Sequence, residues 1–179
     1  LREFTQNGGH LVLLVDHYRR PGELEANGHR REDRTFFDQL AGVDFSQIKR
    51  YNGRGDVIVG PNAPAGLRGG MLRPSAGGLR ATDAETLAEV NVHGEKLLAW
   101  VRHEREGGGV VHTLNLTLRD YKAGKAGGVA GETFAARSGP QRMIRAVRAI
   151  YRSILEGANV EPLFRVQYEQ AKLPSTESY

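Results

Sequence analysis

The hexapeptide LVLLVD at 11–16 constrains this chain most. It is a continuous apolar run of strand length, with Gly8-Gly9 before it and Pro21-Gly22 after it, and so reads as a buried strand. Such a strand needs a sheet around it, and it delivers the residues that follow, Asp16, His17, Tyr18, Arg19 and Arg20, to one rim of that sheet. A second strand is written still more clearly. VVHTLNLTLR at 110–119 alternates, with His112, Leu114, Leu116 and Leu118 on one side and Thr113, Asn115, Thr117 and Arg119 on the other.

Helical spacing appears between and after these strands. TFFDQL at 35–40 sets Phe36, Phe37 and Leu40 on one face, and Gly42 is placed to stop the helix. From an N-cap at Thr82 or Asp83, the positions Leu87, Val90, Leu97 and Val101, widened by Leu98 and Trp100, predict a helix that ends at Gly107-Gly108-Gly109. Between Gly53 and Gly78 glycine and proline recur, leaving room only for short strands at 56–60 and 69–72. The last helix is expected to start near Pro140 and to end at Gly157. It would bury Met143, Ile144, Val147, Ile150, Tyr151, Ile154 and Leu155, with Arg142, Arg145, Arg148 and Arg152 outside that stripe. LFRVQY at 163–168 reads as a closing strand and LPSTESY as a polar tail. Strands and helices mix without a βαβ rhythm, so the expected class is α+β.

A chain of 179 residues suits one domain with a real core. It opens on Leu1 and is therefore expected to be a mature or trimmed piece. It has no cysteine, which excludes disulfides, thiol nucleophiles and cysteine zinc sites together. No run approaches the roughly 18 apolar residues of a spanning helix, so no membrane span is expected. The net charge of +4 is a mild basic bias, too small to establish nucleic-acid binding.

Four motifs need weighing. The glycine-rich stretch 123–131 could offer backbone amides to a phosphate, but it lacks the Gly-Lys-Ser/Thr ending of a phosphate loop. The six histidines show no helical pairing beside a carboxylate, so no metal site is expected. The arginines of the last helix read as a solvated face. Asp38, Glu85, Glu89, Glu104, Glu106 and Glu156 are scattered, without a visible acid/base pair.

Taken in order, the strand running into VDHYRRPGELEANG, then FFDQLAG, HEREGGG, VVHTLNLTLR and AVRAIYRSILEGANVEPLFRVQY resemble the mono-ADP-ribosyltransferase toxins of the pertussis type and, more distantly, the cholera type. The resemblance runs from Leu13 to Tyr168, and its most specific pieces are Asp16 with Arg19 or Arg20, Pro21, Glu23 and the tail VEPLFRVQY. It implies a single-domain ADP-ribosyltransferase-like fold over 1–173, with a split, mostly antiparallel β core and flanking helices, and a polar tail at 174–179. The family grips NAD with a first-strand arginine, orders the nicotinamide pocket with Ser-Thr-Ser, and stabilises the cationic sugar with a glutamate two residues after a Gln or Glu. Here those positions, with the pertussis-type helix histidine, fall on Leu14, on Arg73-Pro74-Ser75, on Ile154 in Arg152-Ser153-Ile154, and on Gln39.

The resemblance therefore implies a degenerate transferase: a toxin or effector domain that binds a host protein or ligand through the former NAD cleft and transfers nothing. Asp16, Arg19, Arg20, Arg73 and Ser75 would line that cleft, with Gln39 and the 123–131 loop beside it. No cofactor is expected in this reading. The alternative is an active NAD-dependent enzyme with Arg20, Ser75 and Glu156 in displaced roles, and a third reading is a small basic nucleic-acid-binding module using the 142–152 arginines. The first carries further expectations: secretion or translocation into a host cell, action in the host cytoplasm, which the absence of cysteine suits, and other toxin subunits as possible partners.

Overall fold

The computed structural model describes residues 1–15, 31–117 and 134–160. The elements in chain order are α1 (Arg2–Gln6), β1 (His10–Leu14), α2 (Arg31–Ala41), β2 (Val43–Asp44), β3 (Lys49–Arg50), β4 (Gly55–Val59), a 3-10 turn (Ala65–Leu67), β5 (Met71–Leu72), β6 (Ala76–Gly77), β7 (Arg80–Ala81), β8 (Glu85–Val92), β9 (Glu95–Glu104), β10 (Val110–Leu114) and α3 (Phe134–Gly157). Six strands form the main sheet in the order β1-β10-β9-β8-β4-β5; β1 runs parallel to β10, and every other pair is antiparallel. The pairs β2–β7 and β3–β6 stand apart from it. The molecule is a mixed α+β fold with a mostly antiparallel sheet, as the sequence leads one to expect.

The sheet separates two apolar layers because strand side chains alternate between its faces. On one face Leu14, Leu114, Trp100, Val90 and Leu97 pack with Ala146, Ile150 and Ile154 of α3. On the other, Leu13 and Val101 pack with Ala41, Val43 and Phe45, at and just beyond the end of α2. β10 is buried at all five positions, so the polar side read from its alternation does not face water: Thr113 is 4% exposed and Asn115, just beyond it, 2%. The β8–β9 register shifts twice around the Ala88–Trp100 pair, where Leu87 of β8 and Ala99 of β9 are left out of the pairing.

The largest departure from the sequence reading is at 82–107, where the expected helix is the β8–β9 hairpin. Its turn is His93-Gly94, both with positive φ (52° and 87°), between the paired Val92 and Glu95. Two positive-φ residues in a two-residue loop make the turn whose twist suits a hairpin. Asn91 Oδ1 accepts the Gly94 N–H at 3.0 Å and fixes the turn from one side. Val90, Val92, Val101 and Trp100 are residues that favour a pleated surface, and here that preference prevails over an apolar spacing that also fits a helix.

Smaller corrections follow the same logic. The first strand is His10–Leu14 rather than 11–16, the helix read at 35–40 covers Arg31–Ala41, and the last helix starts at Phe134 and not near Pro140. Leu155, placed in the buried stripe by periodicity, is 45% exposed, while Ile150 and Ile154 are buried as expected. Gly42 ends α2 with φ of 63°; a Cβ there would lie 2.8 Å from the Ala84 nitrogen and 3.0 Å from His103 Cγ, which leaves no room for another residue. The expected closing strand at 163–168 and the glycine-rich loop at 123–131 lie outside the described residues.

Candidate functional site

The positions singled out by the resemblance lie in several different settings where they are described. Leu14 and Ile154 belong to the same apolar layer, on the α3 side of the sheet. The Gln39 carbonyl accepts a hydrogen bond from Arg105 Nη1 at 3.1 Å, and its side chain is exposed. Ser75 donates through both N–H and Oγ to Asn115 Oδ1, at 3.1 and 3.0 Å. Arg73 donates to Asn52 Oδ1 and lines a narrow crevice with Leu116, Thr117, Met143, Ile144 and Val147. Glu156 accepts from Arg152 Nε at 3.0 Å on the exposed end of α3. Asp16, Arg19 and Arg20 lie outside the described residues, so nothing described brings them to Ser75 or Glu156.

Two of these contacts correct the sequence reading. Arg142 is not a solvated cation: its Nε donates to the Gly69 carbonyl at 2.7 Å, and its Nη2 to the Gly70 carbonyl at 3.3 Å and to Asp56 Oδ1, clasping α3 to the chain before β5. Glu85 and Glu104 are not scattered but share one guanidinium, Arg102, at 4.0 and 2.6 Å.

That guanidinium belongs to a group of polar side chains on the sheet, on the face toward α3 and near β1. Register assembles it. Val12 pairs with His112, His112 with Arg102, and Arg102 with Glu85, making one row across β1, β10, β9 and β8. The neighbouring rows are His10–Val110–Glu104 and Leu14–Leu114–Trp100. His112 is 5% exposed, and its Nδ1 accepts the Trp100 indole N–H at 3.2 Å, so the neutral ring carries its proton on Nε2. The His10 ring lies 6.3 Å from it, and His10 Nδ1 is buried with no hydrogen-bond partner. Asn62 Nδ2 donates to Glu85 Oε1 at 2.5 Å and closes the row.

Burial first, then the neighbouring His10 and Arg102, push the His112 pKa down to about 4. The ring is therefore neutral at pH 7 and serves as an acceptor for the indole. As arranged it is a poor metal ligand, because its lone-pair nitrogen is already engaged; among the described residues no group of three or more His, Cys, Asp or Glu is placed to hold a metal ion. What the cluster can do is respond to protons. Helical spacing could not reveal it, since its members come from four strands; the one sequence signal was a histidine within the alternating series of 110–119.

Among the described residues no helix is long and apolar enough to cross a membrane. No family model matches the chain, and no curated protein matches it. Solved structures do. The β-galactosidase of Bacillus circulans sp. alkalophilus is similar with a TM-score of 0.54 at 16% identity, over 93% of this chain and 21% of that one. The β-galactosidase of Rahnella sp. R3 gives 0.47 at 14% identity, over 86% and 20%. The exo-β-1,4-mannosidase Op5Man5 of Opitutaceae bacterium strain TAV5 gives 0.42 at 16%, over 86% and 22%. The chain spans about a fifth of the length of these enzymes. The likeness to the first is one of fold, and it is that of a mixed α+β unit much smaller than the whole enzyme.

Proposed function

We propose that this chain is a non-catalytic domain of a larger carbohydrate-active enzyme, where it supports neighbouring parts and cleaves no bond itself. One observation carries the reading: 93% of the chain matches the fold of a β-galactosidase but accounts for only 21% of that protein. The polar side chains fit a supporting role. Asn115, His103, Arg105 and Arg142 all bond to backbone carbonyls and hold elements together. The test is the size and activity of the natural product. An antibody raised against this chain is expected to detect a polypeptide far larger than 19.7 kDa in the producing cells, and the chain alone to leave nitrophenyl β-galactosides intact. A natural product of about the chain's own mass, or turnover by the chain alone, would overturn the reading.

A degenerate ADP-ribosyltransferase-type cleft is the second reading. In its favour, Leu14 and Ile154 are apolar members of one core, as a cleft stripped of its charges would have them. Binding to a host protein, secretion and toxin subunits belong to this second proposal alone. The two readings part on partner binding: pull-down from host extract is expected to recover a specific protein only if the degenerate-cleft reading holds, and NAD binding with release of nicotinamide in calorimetry at low salt would overturn both in favour of an active transferase.

A further inference from the structure

We propose that the seam between β1 and β10 is an acid-sensitive latch, through which protonation of His112 releases the N-terminal segment 1–15 while the rest of the sheet stays paired. The inference is independent of the proposed function.

Geometry makes the seam selective. Among the described residues β1 lies at the edge of the sheet with β10 as its strand neighbour, and it is joined by parallel pairing, the less stable kind per residue. The outer side of the seam is thinly covered, with Val12 at 37% exposure and Phe4 of α1 at 53%. The inner strands are held on both edges: β9 lies between β10 and β8, and β8 between β9 and β4.

Chemistry makes it a latch. The Trp100 N–H points at His112 Nδ1, so a proton on that nitrogen turns an accepted bond into two donors facing each other. Among the described residues the titratable and charged groups facing His112 are His10 on β1, Arg102 and Glu104 on β9, and Glu85 on β8. The two carboxylates are already engaged by Arg102, and the neighbouring His10 disfavours a charged His112 across the seam. When β1 leaves, His112 gains water and loses the His10 neighbour.

The sign follows from the two pKa values. The closed form resists the proton until about pH 4, whereas an opened, solvated His112 takes it near its ordinary value of 6.5. Opening therefore becomes easier as pH falls from 6.5 toward 4 and is suppressed above 6.5. Between pH 7 and pH 5 the opening equilibrium should rise about twentyfold.

Amide hydrogen exchange on the full chain tests this, after correction for the intrinsic pH dependence of exchange. Protection of 10–14 is expected to fall about twentyfold from pH 7 to pH 5 while 86–91 and 97–101 keep theirs. His112→Gln should abolish the difference. Because that buried position can disturb folding, His10→Asn at the half-exposed edge is the second variant: by relieving the closed form of the His10 neighbour it should make the fall in protection on acidification smaller, without loss of the neutral-pH fold. Equal protection of 10–14 at both pH values, loss of protection across the whole sheet at once, or an unchanged profile in His10→Asn would each overturn the latch.

Discussion

Asn115 has no donor or acceptor left over. Its Oδ1 accepts from Ser75 N–H, Ser75 Oγ–H and Ala76 N–H, and its Nδ2 donates to the carbonyls of Ala76 and Leu98 at 2.7 and 2.6 Å. One buried side chain thus stands in for a strand where the chain between β5 and β6 meets the main sheet. Asn115→Ala would leave several of those backbone groups without partners, each costing about 1–3 kcal/mol, so a loss of about 3 kcal/mol or more is expected in urea unfolding. A loss below 1 kcal/mol would mean that water replaces the amide. Thr113 is the opposite case, since its Oγ1 is buried with no hydrogen-bond partner. Thr113→Val keeps the shape and removes the unmet hydroxyl, and should stabilise by about 1 kcal/mol, or roughly 2–4 °C in Tm. A lower Tm would show that the hydroxyl is satisfied in solution. The alternation of 110–119 was legible in the sequence. Burial of its polar side was not, because that depends on α2 and on the Ser75 segment, both far away in the chain.

Elements are held here by a few side-chain clasps as well as by apolar packing. The open carbonyls at the end of α2 meet side chains at the end of β9 and just beyond it: Leu40 O faces His103 Nδ1 at 3.0 Å, and Gln39 O accepts from Arg105. At the other helix Arg142 bonds three groups at once, two of them carbonyls of the Gly69-Gly70 turn. Arg142→Ala is expected to cost about 1–2 kcal/mol, more than an ordinary surface substitution, with the loss read from chemical denaturation. An effect within 0.5 kcal/mol, the usual range for exposed positions, would return Arg142 to the solvated face assigned by periodicity. The β8–β9 turn gives a second element-scale test. His93 is a non-glycine residue at φ 52°, so His93→Asn should stabilise the hairpin by a few tenths of a kcal/mol, and Gly94→Val should destabilise it by about 1 kcal/mol or more. The sequence showed where α2 stops, because Gly42 allows little else. It misled at 82–107, because Leu87, Val90, Leu97 and Val101 keep a helical spacing while register shifts in the β8–β9 pairing break the strict alternation of a strand, and the deciding residues were the turn pair His93-Gly94.

At the scale of the molecule the question is whether the two apolar layers behave as one. They lie on opposite faces of a single sheet, so neither can lose the sheet and survive. Trp100 belongs to the α3 side with a 1% exposed ring, and its neighbour Val101 to the α2 side, so adjacent residues of one strand report on both layers. At pH 7, where the His112 seam is closed, Trp100 fluorescence and far-UV circular dichroism should therefore give coincident urea transitions. Fluorescence that changed well before the helical signal would mean that the α3 layer separates first and that the chain is two cooperative units. The same measurement bears on function. A domain that supports a larger enzyme must transmit load without yielding in parts, whereas a clamp for a partner would be expected to open locally at low cost. The acid-sensitive seam reconciles these demands by confining the weak point to β1: at pH 5 a small early fluorescence change, from Trp100 losing its His112 bond, should precede the main transition, and His112→Gln should remove that early step alone.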